Sequence, residues 1–457
     1  MSASAPPLAS GAGGRHALRP LLDTVLDALQ EGAEARGGGP LPAGGPQAVA
    51  AHVRATLGEV LPRHGDPDAL HTLVRAFAAG AADPADPLCA AHLHCPPLAV
   101  ATAADLAVSA LNPSLDSWDQ APAASALETL VTRALADELH AGDALVTTGG
   151  TESNQLALLL ARETRHAPGP LRLVCGANAH HSLRRAAWLL GLPEPVVVPT
   201  PAGILAPAAL DDALTPLPRP VLVTATAGTT DAGLIDPLPD LADLCAARGA
   251  RLHVDAAYGG GLLFSDRHRD RLHGLDRAHT VTLDLHKLGW QPVAAGLLAV
   301  RDATDLAVLA HHADYLNADD DTAAGLPDLL GRSLRTTRRP DILKIAVTLR
   351  TLGREGLGAL IAQVCALAAG FAALVDMHPG FELYAPPTIS TVLFRPTGAT
   401  DAAVADIRRG LLHDGRAVLG RAAPDGRLWL KATLLNPHTR PADLAALLKL
   451  VEGNTPS

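Results

Sequence analysis

Four short segments carry residue types that can do chemistry, and each lies where an apolar run gives way to small or polar residues. In Leu145-Val146-Thr147-Thr148-Gly149-Gly150-Thr151-Glu152-Ser153-Asn154 a Gly-Gly-Thr turn opens a helix. Bare backbone N–H groups, a hydroxyl and the positive helix end suit an anion there. A plain helix start with Thr151 as N-cap would read the same way. The segment is neither a Walker loop nor a G-x-G-x-x-G turn. In Leu252-His253-Val254-Asp255-Ala256-Ala257-Tyr258-Gly259 an apolar strand ends in one carboxylate followed by small residues. A buried Asp needs something cationic opposite it, and small neighbours leave room for a flat ligand. The alternative is a structural Asp that caps the next turn. In Thr282-Leu283-Asp284-Leu285-His286-Lys287-Leu288-Gly289-Trp290 a lone Lys follows a strand, beside a His. Partial burial would lower its pKa and let the free amine attack a carbonyl, although a lone Lys after a strand is often simply solvated. In Ala177-Asn178-Ala179-His180-His181-Ser182 a His stands at a strand-to-helix turn, as a helix cap or as a catalytic ring.

Taken together, an anion cradle, a carboxylate, a flat imidazole face and a lysine amine describe one cofactor. Pyridoxal phosphate requires a phosphate pocket, an acid at its pyridine nitrogen, a ring stack and a lysine that forms a Schiff base. The 32 residues from Asp255 to Lys287 leave room for one helix between consecutive strands.

The surrounding elements must bring these segments to one place. From about residue 100 to 300, short β-branched runs at 171–174, 196–198, 221–224, 252–254, 281–283 and 297–300 are separated by helical stretches, among them 153–162, 182–190 and 241–248. Such alternation predicts an α/β fold, a mostly parallel central sheet with helices on both faces. Ligands of such sheets sit at the carboxyl ends of the strands. Beyond Arg339-Pro340 a long helix is predicted over 341–375, then a strand 391–394, a helix 402–411, a strand 429–434 and a helix 442–451, a small α+β domain. Near the start, Leu18, Leu21, Leu22, Val25, Leu26 and Leu29 recur at helical spacing between small-residue segments 1–15 and 36–46, expected to be tail and linker. A helix so isolated must bury its stripe on the body or on another subunit. The division expected is therefore a flexible tail and helical N-terminal segment (1–80), a large cofactor-binding domain (81–345) and a small C-terminal domain (346–457).

Composition narrows the classes. Of 457 residues, 48% are hydrophobic and the net charge is −10, which argues against a nucleic-acid binder or a polybasic membrane anchor. No uninterrupted apolar run of roughly 18–20 residues is apparent. The start lacks the basic-then-apolar pattern of a secretion signal. Five scattered cysteines, Cys89, Cys95, Cys175, Cys245 and Cys365, suit free thiols in a reducing cytoplasm. His92, His94 and Cys95 have ligand-like spacing, but no second cluster matches them, and no metal is expected.

The segments 148–154, 253–259 and His286-Lys287 resemble those of the group II pyridoxal-phosphate amino acid decarboxylases, and the resemblance runs from about His92 to the end. It includes Asn112-Pro-Ser-Leu-Asp-Ser-Trp-Asp119, Thr336-Thr-Arg-Arg-Pro-Asp-Ile-Leu-Lys344 and Leu434-Leu-Asn-Pro437. Within the family the likeness is greatest to the diaminobutyrate and siderophore-type lysine decarboxylases, through 112–119, Ala313-Asp-Tyr-Leu-Asn317 and Thr-Thr-Arg-Arg. It implies the aspartate-aminotransferase-like fold type I and a homodimer with shared sites. Lys287 would hold the cofactor, His286 would help bind its phosphate, and Gly150 and Thr151 would cradle it. Asp255 would pair with the pyridinium, His180 would stack on one ring face, Ala257 would pack on the other, and Thr230 would lie near a cofactor oxygen. His92, His94 and Cys95 would line the substrate mouth. Two departures stand out: Lys287 is followed by Leu-Gly-Trp rather than Ser-Phe-Phe, which predicts a different pocket floor, and the loop before Arg338 lacks the tyrosine that the aromatic and glutamate branches use as an acid. Tyr315 lies nearby without being its equivalent.

The resemblance implies decarboxylation of an amino acid, favouring a basic diamino acid such as 2,4-diaminobutyrate, lysine or ornithine, in siderophore or secondary metabolism. Asp116, Asp119 and Asp319-Asp320-Asp321 are candidates to meet a distal ammonium. The competing readings are a decarboxylase of aromatic or neutral amino acids, an aminotransferase, or a C–C lyase on the same fold.

Overall fold

Successive side chains of a strand point to opposite faces, and the strands of the middle third use both. Leu173 and Leu222 pack with Leu158, Leu183 and Ala186, while their neighbours Val174 and Val223 join Val254, Leu241 and Ile361 on the other side. A strand with apolar residues in both registers must be covered twice, which explains its continuous apolar run.

The computed structural model describes residues 6–165, 167–311 and 316–455. Five helices come first: α1 (Gly14–Ala35), α2 (Gly45–Leu57), α3 (Ala69–Gly80), α4 (Ala99–Leu111) and α5 (Pro122–Glu138). The large domain then alternates β1 (Asp143–Thr147), α6 (Gly150–Glu163), β2 (Arg172–Gly176), α7 (Ser182–Leu189), β3 (Val196–Val198), α8 (Pro207–Leu214), β4 (Val221–Thr226), α9 (Leu238–Arg248), β5 (Arg251–Ala256), β6 (Thr280–Asp284) and β7 (Gly296–Val300). After a short helix α10 (Asp319–Ala323) come α11 (Ile342–Asp376), β8 (Phe381–Leu383), β9 (Thr391–Pro396), α12 (Asp401–His413), β10 (Gly420–Ala422), β11 (Trp429–Thr433) and α13 (Pro441–Gly453).

The seven-stranded sheet has the order β1-β7-β6-β5-β4-β2-β3. Strands β2 to β6 are parallel, and β7 runs antiparallel to both β6 and β1. The expected sheet is thus present, with one reversed strand and with β1 added. The register sets Thr226 beside Asp255, and Asp255 beside Thr282. The small domain is a four-stranded antiparallel sheet, β10-β11-β9-β8, with its own core around Phe371, Phe394, Leu430 and Leu447.

Two expectations need correction. Residues 36–46 are tied to the body rather than running free: Arg36 pairs with Asp83 at 2.9 Å, the Asp83 amide donates to the Pro40 carbonyl at 2.9 Å, and the Gly44 amide donates to the His413 carbonyl at 2.8 Å. And α11 is by length and composition apolar enough to cross a membrane, contrary to the sequence reading. Its buried Ile361, Val364, Phe371 and Val375 instead join the cores of both domains, and non-helical Gly353 divides it. The helix is the spine on which the two domains meet.

The amphipathic stripe of α1 lies partly against α3. Gly32 permits the close approach, since a side chain there would fall 2.5 Å from the Arg75 carbonyl oxygen, and Glu31 pairs with His71 and Arg75 at 3.2 and 3.3 Å. Leu21, Leu26, Leu29 and Phe77 remain exposed.

Candidate active site

Every residue singled out for the cofactor reaches one cavity of about 300 Å³ at the carboxyl ends of the strands. Gly150 and Thr151 come from the start of α6, His180 from the turn before α7, Thr230 from the loop after β4, Asp255 and Ala257 from the end of β5, and His286 and Lys287 from the loop after β6.

The cradle is shaped by glycine. Gly149 has φ 144°, a conformation side chains rarely adopt, and a Cβ on Gly150 would stand 3.0 Å from the Ala257 Cβ and 3.2 Å from Asp284 Oδ2. The turn is braced from outside: Glu152 Oε2 accepts from the Thr148 amide at 2.6 Å and its hydroxyl at 2.8 Å, and Glu152 Oε1 lies 3.2 Å from Arg335 Nε.

Asp255 is buried and held from two sides. Its Oδ1 accepts from the Ala257 amide at 3.1 Å and its Oδ2 from Asn154 Nδ2 at 2.8 Å. At the end of the adjoining strand β6, Lys287 Nζ lies 2.9 Å from Asp284 Oδ2, and His286 Nε2 lies 3.5 Å from the same oxygen. Burial lowers the pKa of His286, against the pull of Asp284, and burial likewise lowers that of His180, against Asp255. Both rings are therefore biased toward the neutral form.

Sequence reasoning passed over two contributors. Thr226 and Asp284 both line the cavity, and Thr226 Oγ1 and Asp284 Oδ1 are buried without a hydrogen-bond partner. The signal was available: each ends a strand adjoining Asp255 or the lysine loop, and Asp284 stands three residues before Lys287. Tyr258 also lines the cavity, but its hydroxyl is engaged by Ser390 Oγ at 2.8 Å and Thr391 Oγ1 at 3.1 Å, and burial pushes its pKa up to about 12.

The other described residues named from the sequence do not themselves line the cavity. Of the stretch 92–95, Leu93 lines the cavity, while His92 and His94 are exposed; Cys95 is buried, its thiol donating to the His286 carbonyl at 3.2 Å. Burial pushes that thiol up to about 12, so it behaves as a small core residue. Trp290 is not a pocket floor: it is buried in the core, and its indole N–H donates to the Leu435 carbonyl at 2.7 Å, joining the two domains. Asp116 is buried and accepts from Gln120 at 2.8 Å, Asp119 is exposed, and neither they nor Asp320 and Asp321 line the cavity. Tyr315 lies outside the described residues, as does the side chain of Asp319. Arg338 of the Thr-Thr-Arg-Arg segment is buried in a two-pronged pair with Glu128, both contacts at 2.7 Å.

The residues present fit pyridoxal phosphate. The glycine turn leaves a space that a Cβ would fill, a helix N-terminus of 14 residues faces it, and an orphaned hydroxyl and a held carboxylate flank a lysine amine.

Comparison with known proteins agrees. Residues 56–397 match the family model described as the pyridoxal-dependent decarboxylase conserved domain. The chain is 46% identical over 373 residues to the L-2,4-diaminobutyrate decarboxylase of Rhizobium meliloti (strain 1021), covering 78% of this chain and 75% of that one. It is 32% identical over 385 residues to the enzyme of the same name from Acinetobacter baumannii, covering 76% of each. Among solved structures, the glutamate decarboxylase domain of a diaminobutyrate-pyruvate transaminase and L-2,4-diaminobutyrate decarboxylase from Vibrio parahaemolyticus superposes with a TM-score of 0.86 at 31% identity, covering 98% of this chain and 97% of that one.

Proposed function

The chain belongs to the pyridoxal-dependent decarboxylase family, and we propose that its substrate is a basic diamino acid, 2,4-diaminobutyrate first, with lysine or ornithine as the neighbouring choices. It is a pyridoxal-phosphate-dependent carboxy-lyase of fold type I. The observation that carries the substrate choice is the 46% identity to an enzyme named for diaminobutyrate. The net charge of −10 adds a mild long-range attraction for cations.

When bound, pyridoxal phosphate supplies the sink for the electron pair left as CO2 departs. In our reading the Lys287 amine attaches it covalently, and Gly150, Thr151 and His286 hold its phosphate. Asp255, fixed by the Ala257 amide and Asn154, would set a negative charge against the ring nitrogen. At about 4 Å and an effective dielectric of ~20 that attraction is worth roughly 4 kcal/mol, near three pK units. His180 would cover one face of the ring and Ala257 the other, and Thr230 and Thr226 would bind near its oxygens. Asp284 holds the Lys287 ammonium whenever that amine is free, which the 2.9 Å contact supports.

The same reading makes the enzyme a cytoplasmic homodimer in which the N-terminal segment, up to about residue 80, packs on the partner. The exposed Leu26, Leu29 and Phe77 support this. The cofactor domain then spans about 81–345 and the small domain the remainder.

The test is CO2 release from a panel of amino acids. The expected result is kcat/KM highest for 2,4-diaminobutyrate, with lysine and ornithine next and tyrosine, phenylalanine, leucine and glutamate behind. A neutral or acidic substrate ahead of all three diamino acids by more than about tenfold, roughly 1.4 kcal/mol of transition-state preference, would end the diamine reading.

A further inference from the structure

Asn154 stands fully buried on α6, and its hydrogen bonds can be assigned one by one. Its Nδ2 lies 2.8 Å from Asp255 Oδ2 and 2.9 Å from Ser182 Oγ. An ionised carboxylate only accepts, so the amide NH2 faces Asp255 and the amide oxygen faces the other way. That oxygen lies 2.9 Å from His253 Nε2 and 3.0 Å from Thr282 Oγ1, and both must donate to it. His253 therefore carries its proton on Nε2. Burial pushes its pKa down to about 4, so the ring is neutral and Nδ1 accepts from Thr280 Oγ1 at 2.9 Å.

The same accounting runs toward the cavity. Ser182 Oγ receives an Asn154 N–H and has one hydrogen left to give. His180 Nδ1, at 2.8 Å, is its acceptor, and the Ser182 amide also points at this nitrogen from 3.3 Å. With two donors converging on Nδ1, a neutral His180 must carry its proton on Nε2. The other tautomer would set N–H against N–H and leave the hydroxyl hydrogen without an acceptor among the described residues.

We propose that Asn154 and Ser182 are positioning residues that lock His180 as the Nε2–H tautomer facing the ligand and tie that choice to the orientation of Asp255. One amide thus orients both the carboxylate at the ring nitrogen and the imidazole at the ring face. His180 offers the cavity a hydrogen-bond donor at Nε2. Asp255, His181, Lys287 and Asp284 are the titratable groups that face the ring. The two carboxylates favour the charged ring, and the donors at Nδ1, the Ser182 hydroxyl and amide, oppose the second proton there.

The proposal rests on the reading of this cavity as the active site, and the test separates the two. Histidine labelled with ¹⁵N is incorporated into the wild type and into Ser182→Ala, with His180→Gln to identify the resonance, and imidazole shifts are followed against pH before cofactor is added. The expected wild-type signal is a neutral Nε2–H ring below its ordinary pKa. In Ser182→Ala that pKa should rise by about one unit, the loss of one hydrogen bond to the neutral form. In the loaded enzyme the acid limb of kcat should move up in pH by the same amount. An Nδ1–H ring in the wild type overturns the proposal and needs no variant to see; so does a Ser182→Ala titration that coincides with the wild type. If the tautomer is as expected while no amino acid loses CO2, the functional reading fails and the tautomer assignment stands.

Discussion

Around Asp255, six hydrogen bonds between 2.8 and 3.1 Å join the carboxylate to the Ala257 amide, Asn154, Ser182, His253 and Thr282, and carry on to His180. On α1 and α3, by contrast, Leu26, Leu29 and Phe77 are 63%, 43% and 75% exposed. In the chain this network can be assigned down to single protons, and among the described residues Thr226 Oγ1 and Asp284 Oδ1 are the buried unpartnered atoms of residues that line the cavity. The N-terminal helices carry apolar surface that one chain does not cover. Buried polar groups are costly unless paired, so a preorganised site is built to full satisfaction. Clustered apolar surface marks a face made to meet another surface.

The sharpest way to break this contrast is to remove the amine. Lys287→Ala should fold, since among the described residues Nζ pairs with Asp284 alone, and should lose turnover below detection. Borohydride reduction of the loaded wild type should label Lys287 alone; a label on any other lysine sinks the assignment.

Asp255→Asn keeps the size of the side chain and removes its charge. With roughly 4 kcal/mol at stake, the rate should fall about a thousandfold while the melting temperature moves little. Activity within about tenfold of wild type would mean that Asp255 does not face the ring nitrogen.

The other half of the contrast is tested where the apolar side chains are already in water. Leu26→Ser with Phe77→Ser should leave the monomer fold intact and weaken self-association. Burying two such side chains contributes about 3 kcal/mol, two powers of ten in the dissociation constant. Sedimentation of the double variant should show dissociation at concentrations where the wild type is a dimer; unchanged association would place the interface elsewhere.

The two regions also differ in how far the sequence could be read. Asp255 was legible as a carboxylate closing an apolar strand, and His180 and Lys287 as polar groups in the turns that follow one; strand ends in an alternating α/β chain converge. The reversal of β7 was missed although a clue was present: only 11 residues, 285–295, separate β6 from β7, too few for the helical crossover that a parallel neighbour needs. Helices α2, α4 and α5 went unread because their Ala-rich sequences give a weak stripe, whereas α3 went unread although its stripe is as strong as that of α1. Trp290 misled because nearness to Lys287 in sequence says nothing of direction; with φ at 52° its ring turns into the core toward Leu435. The donor chain through Asn154 was beyond the sequence altogether, since it joins residues up to 128 positions apart.

That chain makes the smallest prediction, one of stability rather than rate. His253 is fully buried, and burial holds its pKa near 4, against about 6.5 in an unfolded chain. Between those values the unfolded state takes up a proton that the folded state refuses, so stability falls as pH falls. The contribution is intact above about pH 6.5, and about 2 kcal/mol is lost by pH 5. His253→Gln can still donate to the Asn154 oxygen but does not titrate across this range. Urea unfolding from pH 7 to pH 5 should therefore show a shallower decline in the variant by about that amount. Parallel declines would mean that His253 is charged in the folded protein, and the donor assignment at Asn154 would lose its anchor.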